Sequence, residues 1–361
     1  MRSTPPSEPL SPAVARMRTL TRRHLNRALL SRQMLLERAR MPLPRSLERI
    51  AGLQAQYAPS MYIGLWSRLE GFERDALTKA LERRRVVQGT LMRSTIHLVS
   101  PGDYWPFAIA TRQSRREWWL RAHRDGPSAC EVAAAAKRLR THLAKGPLRR
   151  AEIDEVLGKP GAVMIGAVGL WLDLVRVPPS GTWERRRADL YAAAEDWLGP
   201  AGIAPDDAVE HLVRRYLGGF GPATRAEIAD WAGLPARAVA AALGRLRLRR
   251  FRAEDGEELL DLPRAPLPDP EEPAPPRFLP VWDATLLVHA RRTGILPEEL
   301  RPKVFNLRTP HSVNAFLVDG AVAGTWKHEK GHVRLEPFGR LGRSTRAELN
   351  AEAERLAAFH A

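Results

Sequence analysis

The chain has 361 residues, 44% of them hydrophobic, which suits two or three domains with real cores and excludes a disordered protein. Its 57 Lys+Arg against 41 Asp+Glu leave a net charge of +16, so a polyanionic partner such as nucleic acid or an anionic membrane surface is expected. A single cysteine, Cys130, excludes an internal disulfide, a four-cysteine iron–sulfur cluster and a cysteine-based zinc finger, and fits a reducing compartment.

Residues 1–18 carry prolines and arginines but no apolar core of a signal peptide, and are expected to be a flexible N-terminus. The longest apolar stretch, Ala162 to Leu172, is too short to span a bilayer. A soluble, cytoplasmic, nucleoid-associated monomer is the resulting expectation.

A weak internal repeat organises the body. Leu20-Thr21-Arg22-Arg23-His24-Leu25, Leu148-Arg149-Arg150-Ala151-Glu152-Ile153 and Ala223-Thr224-Arg225-Ala226-Glu227-Ile228 each open a helix-period stretch. Thr21 and Thr224 are good N-caps. Each stretch later gives way to strand-like segments. The first yields 86–90 and 95–99, the second 174–177 and Thr182-Trp183, the third 246–249 and 259–262 across an Asp255-Gly256 hairpin turn. Helices followed by a two-stranded ribbon is the plan of a winged helix. The predicted fold class is therefore α+β, mainly α. Winged-helix units are expected at 19–125, 126–210 and 211–262, and a Pro-rich linker at 263–277. A small β-rich domain with a final helix follows at 278–361, with strands at 281–289, 313–318, 322–327 and 332–335. Asp319-Gly320 and Lys330-Gly331 read as turns, and Thr345 with Glu348 as a capping box.

Arg245, Arg247 and Arg249 alternate with Leu246 and Leu248. On a strand this gives an arginine face suited to phosphates, or a charged solvated edge. Arg185-Arg186-Arg187 can also reach DNA, whereas Arg83-Arg84-Arg85 suits a helix C-terminus. His328-Glu329-x-x-His332 matches a zinc-protease pattern that works only on a helix, and Gly331 and the alternating flanks argue for a hairpin. Gly158-Lys159-Pro160 lacks the spacing of a phosphate-binding loop, and 218–221 is not a dinucleotide fingerprint. No metal and no organic cofactor are expected.

Gln54 and Gln56 stand at the end of a helix-like run, before Pro59, where glutamines can be ordinary capping or surface residues. Taken in order, Gln54-Ala55-Gln56, the run from Arg93-Ser94-Thr95-Ile96-His97 to Ser100, and Phe278-Leu279-Pro280-Val281-Trp282-Asp283 resemble the AlkZ/YcaQ family of winged-helix DNA glycosylases. The resemblance runs from about Leu20 to Phe338. It implies tandem winged helices and a C-terminal β domain around a basic cleft, with double-stranded DNA as partner. The family's Gln-apolar-Gln motif falls on Gln54 and Gln56, which the resemblance makes the catalytic pair. Gln56, where some members carry Asp, places the chain with the crosslink-processing branch.

The chemistry is coherent. A carboxamide is no base near neutral pH, but it can orient a water molecule. An N7-alkylated purine already carries positive charge and leaves as a neutral base through an oxocarbenium-like transition state, so positioning and electrostatics can supply the rate. The expected activity is a monofunctional glycosylase that excises N7-alkylated purines and unhooks interstrand crosslinks. His97, Arg93, Thr95, Tyr57, Arg185, Arg186, Arg247 and Arg249 are the candidate cleft or DNA-contacting residues, Tyr62 is a further stacking candidate, and Asp283 is given no role. A non-catalytic winged-helix DNA binder or regulator explains the charge and repeats equally well, but does not need the glutamine motif.

Overall fold

A computed structural model describes residues 17–158, 162–287, 289–306 and 311–361. Residues 1–16 of the expected flexible N-terminus and Lys159-Pro160 lie outside the described residues. Strand β1 (Thr19–Leu20) leads into helix α1 (Arg22–Arg32), which Thr21 caps in a box closed by His24.

A helix–strand–helix–helix–hairpin order then recurs. The first unit is α2 (Leu43–Ile50), β2 (Leu53–Gln54), α3 (Ala58–Trp66), α4 (Arg74–Glu82), β3 (Val87–Thr90) and β4 (Ile96–Val99). Helix α5 (Pro101–Ala122) connects to the second, made of α6 (Ala129–Leu143), β5 (Leu148–Arg149), α7 (Arg150–Leu157), α8 (Ala162–Trp171), β6 (Leu174–Arg176) and β7 (Leu190–Ala193). Helix α9 (Ala194–Leu198) precedes the third, made of α10 (Pro205–Phe220), α11 (Arg225–Ala232), α12 (Ala236–Arg245), β8 (Arg249–Ala253) and β9 (Glu258–Asp261). There the short first strand shrinks to a bridge from Ala223 to Leu260. The Thr21 stretch, which the sequence aligned as the first repeat, stands outside this order; β1 instead pairs parallel with β8.

The first two units share one sheet, ordered β2-β4-β3-β6-β7-β5, joined where β3 pairs antiparallel with β6. The second ribbon is not closed at Thr182-Trp183, as the alternation suggested. Its return strand is β7, and residues 178–189 form a loop in which the Ser180 hydroxyl takes up the Asp189 and Leu190 amides. In the third hairpin the strand begins at Arg249, because α12 runs on to Arg245. The arginine alternation therefore spans a helix end, a connection and a strand, and makes no single face. Arg249 bonds Asp261, and Arg245 pairs with Glu210.

The proline-rich segment is packed down rather than free. Arg32 donates to the Pro266 carbonyl and Arg27 to that of Glu272. Beyond it come β10 (Arg277–Leu279), α13 (Ala290–Thr293), α14 (Arg301–Val304), β11 (Phe305–Asn306), β12 (His311–Ser312), β13 (Ala315–Val318), β14 (Ala321–Glu329), β15 (His332–Pro337) and α15 (Arg343–His360). Strands β10-β13-β14-β15 form one sheet. The strand expected over 281–289 is absent among its described residues; Val288 lies outside them. Trp282 turns at φ +63°, and Asp283 caps a 3₁₀ turn at 284–286 through the Thr285 amide. The final helix starts at Arg343, with Ser344 rather than Thr345 bonding Glu348. Phe278, Phe316, Trp326 and Leu356 share a core with Leu53, Met61 and Tyr62, so the C-terminal sheet is docked on the first unit.

Between α2 and β2 the chain reverses through Ala51 (φ +60°) and Gly52 (φ +80°). A Cβ on Gly52 would sit 2.9 Å from Val99 Cγ1 and 3.1 Å from the Leu98 carbonyl oxygen. Backbone that L-residues avoid and a closed space act together here. Gly52→Ala is expected to lower stability by about 1–3 kcal/mol, read by urea denaturation; an unchanged midpoint would show that the turn tolerates a side chain.

Candidate active site

Gln54 is the last residue of β2, not the end of a helix. It pairs across to His97 on β4. Directly opposed residues of an antiparallel pair project to one face with Cβ atoms about 5 Å apart, so Gln54 and His97 form a polar pair. Gln54 is 8% exposed, and no side-chain hydrogen bond holds it among the described residues. Ala55 N–H donates to the Ile96 carbonyl at 2.8 Å, and Ile96 N–H donates to Gln56 Oε1 at 2.7 Å. Gln56 thus continues the ladder with its side chain. Its oxygen is committed, its NH₂ remains to donate, and the residue is exposed.

His97 is buried. Its Nδ1–H donates to the Thr95 carbonyl at 3.0 Å, so Nε2 is the lone-pair nitrogen. Burial, with Arg93 nearby, pushes its pKa down to about 3, so the ring is neutral near pH 7. His289, stacked on Phe220 in the core, is pushed to about 3 by burial and Arg292. Unfolded histidines protonate near pH 6.5. Between that value and about 3 the unfolded chain binds protons that the folded chain refuses, so stability falls on acidification. Near pH 5 the expected loss approaches about 2.7 kcal/mol per pH unit for the two sites. Denaturation midpoints that stay flat from pH 7 to pH 5 would contradict neutral burial.

The turn that leads into β4 is held from outside. Arg93 (φ +51°) and Ser94 (φ +58°) both adopt left-handed backbone, and Arg93 donates to the Trp231 carbonyl at the end of α11. Burial lowers the Arg93 pKa. Arg93, half-buried, therefore ties the turn to the third unit. Thr95 closes the turn by donating to Met92 O at 3.1 Å.

Tyr57 follows the motif and is 44% exposed. Arg186 donates to its hydroxyl at 3.1 Å, which brings the 178–189 loop to the motif. Arg185, Arg186 and Arg187 are exposed; with Arg149, which sequence reasoning missed, they line a cavity of about 240 Å³. The only signal for Arg149 was its place at the start of the second repeat. Tyr62 is core: its hydroxyl bonds Thr78 and its ring packs edge-on to Trp183. Arg247 and Arg249 are placed on the third hairpin and its approach, not in this cluster. His328 and His332 lie on adjoining strands of a hairpin, opposite Val333 and Glu329 respectively and so on opposite faces, with His328 stacked on His360. Among the described residues no group of three His, Cys, Asp or Glu is placed to hold a metal ion, and no helix is long and apolar enough to cross a membrane.

Asp283 is not at the site. It forms a two-bond ion pair with Arg68 at 2.9 Å each, both side chains fully buried. Burial alone would raise its carboxyl pKa, but Arg68 and Thr285 outweigh burial and hold it below the usual range.

A search of curated proteins finds no match. Among solved structures, the DNA glycosylase AlkZ of Streptomyces sahachiroi superposes with a TM-score of 0.78 at 18% identity, over 95% of this chain and 97% of that one. The family model described as DNA glycosylase AlkZ-like matches residues 47–359, which takes in the glutamine pair, its histidine partner and the docked C-terminal sheet, and the chain belongs to this family of DNA glycosylases.

Proposed function

We propose that the protein is a monofunctional glycosylase that removes N7-alkylated purines from double-stranded DNA, including the halves of interstrand crosslinks, with Gln54 and Gln56 at its centre. The three recurring units are read as tandem winged helices, each with its ribbon as the wing. The observation that carries the reading is the pinning of Gln56 by Ile96 N–H beside an uncommitted, nearly buried Gln54. The Gln54 carboxamide oxygen accepts from a water and its NH₂ donates to a neighbour. Gln56, oriented by its ladder bond, donates to the deoxyribose. Neutral His97 offers Nε2 as a second acceptor for the same water; with its depressed pKa it orients rather than removes a proton.

The alkylated purine takes the glycosidic electron pair and leaves neutral. Water then adds to C1′ of the oxocarbenium-like sugar and loses its proton to solvent. A carboxamide forms no Schiff base, so no strand cleavage accompanies release. Arg185 and Arg186, with Arg149 and Arg187, grip phosphates beside the lesion. An open, arginine-lined approach suits a bulky lesion that cannot enter a snug flipping pocket. The test is release of N7-methylguanine from alkylated duplex. Salt-sensitive binding with no release from this or from crosslinked DNA would leave a plain DNA-binding protein.

A further inference from the structure

A second cationic cavity, of about 800 Å³, lies where the end of α2, the face of α10 and the segment after β9 meet. It is not an extension of the glutamine site. Gln56 bonds Ile96 at the start of β4. At the other end of that strand the chain passes Val99 into α5, where Asp103 accepts from Arg215, and Arg215 lines the cavity. The length of β4 therefore separates the two.

Its lining is rich in guanidinium groups. Arg215 is neutralised by Asp103 and Glu48, and Arg214 by Glu210. Arg49, Arg247 and Arg264 have no carboxylate partner among the described residues, and all three are exposed. Arg49 makes one 3.3 Å bond to the Ser31 carbonyl. Exposed guanidinium groups with no carboxylate partner leave this surface positive, and an anion between them would relieve their mutual repulsion. Guanidinium forks match phosphate oxygens two at a time. Among the described residues no aromatic side chain lines the cavity, so nothing there stacks on a base. Recognition would be of phosphates alone, along an open surface.

We infer that this cavity is a second phosphate-binding surface that grips duplex backbone away from the lesion, through Arg49, Arg247 and Arg264. The inference takes from the proposed function only that duplex DNA is the ligand. It gives Arg247 the phosphate role expected from sequence, from the connection between α12 and β8 rather than from a strand face.

The experiment compares wild type with Arg247→Ala/Arg264→Ala on undamaged duplexes of about one and about three helical turns, by anisotropy across a salt series. On the long duplex the slope of log K against log salt is expected to flatten by about 1.8, two phosphates at about 0.9 each. On the short duplex binding is expected to be unchanged, as is base release from a lesion within it. Arg247→Lys/Arg264→Lys is expected to restore the slope. Both arginines are exposed, so thermal melting is expected to be unaltered. An unchanged long-duplex slope overturns the inference. So does calorimetric binding of tripolyphosphate that the alanine pair abolishes while the slope stays put, since the cavity would then serve a free polyanion. The readout is binding to undamaged DNA, so absent glycosylase activity would remove the proposed function and leave this surface standing.

Discussion

Gln54→Ala and Gln56→Ala should each slow single-turnover release of N7-methylguanine by about 10²–10³-fold, the usual loss when one preorganised polar group is removed from a reaction centre. The double variant should be little slower than the worse single one, because in the proposed mechanism the two side chains act together on one water and one sugar. Affinity for undamaged duplex should stay the same, since neither residue is cationic. The two singles should differ in stability. Gln56 accepts the Ile96 amide, so its loss removes a hydrogen bond of about 1 kcal/mol, whereas Gln54 has no comparable partner and its loss should leave melting close to wild type. Both variants releasing base at the wild-type rate would remove the glutamines from the mechanism.

The largest effect on stability is expected at the Arg68–Asp283 pair. Both side chains are fully buried, and two parallel bonds of 2.9 Å join α3 and its exit to the segment that follows β10. Removing either partner strands a charge in the core, which costs about 3–5 kcal/mol. Arg68→Ala and Asp283→Ala are each expected to lower the melting temperature by on the order of 10 °C. Arg68→Met/Asp283→Leu removes both charges together and should recover much of that loss. Singles that melt within about 1 kcal/mol of wild type would mean that water reaches the pair. The pair fastens the first unit to the C-terminal sheet, so its loss should also raise hydrogen exchange in β10 and β13.

The Asx-Gly and Lys-Gly turns and the Thr224 cap were legible because their signals are local. Asp255-Gly256, Asp319-Gly320 and Lys330-Gly331 all turn as read, and the Thr224 cap closes with Glu227 three residues on. The glutamine strand was not legible. A two-residue strand has no period to detect, and its partner, Leu98 against Leu53, is far away in the chain. The bond from Arg93 to the third unit was not legible either, since arginine is seldom buried and its partner is a distant backbone carbonyl. Only the packing of α11 against its turn explains its place. The ion pair of Arg249 was hidden for the same reason: its acidic partner, Asp261, arrives on the returning strand. Asp283 was recognisable as a turn residue, but the arginine that buries it lies more than two hundred positions earlier.

The pairing of β3 with β6 bears on how a lesion is found. Two units that share a continuous sheet cannot open against each other without breaking ladder hydrogen bonds, so this joint is no hinge. The joint, formed by Gln88 opposite Arg176 and Gly89 opposite Val175, sets the angle between their ribbons. A duplex that does not match it must itself bend, at on the order of 1–6 kcal/mol for a smooth curve. Undamaged, well-stacked DNA meets that penalty in full. A duplex already slackened at an adduct meets less of it. Under the proposed function, a rigid joint would favour a duplex already slackened at an adduct before any base is touched.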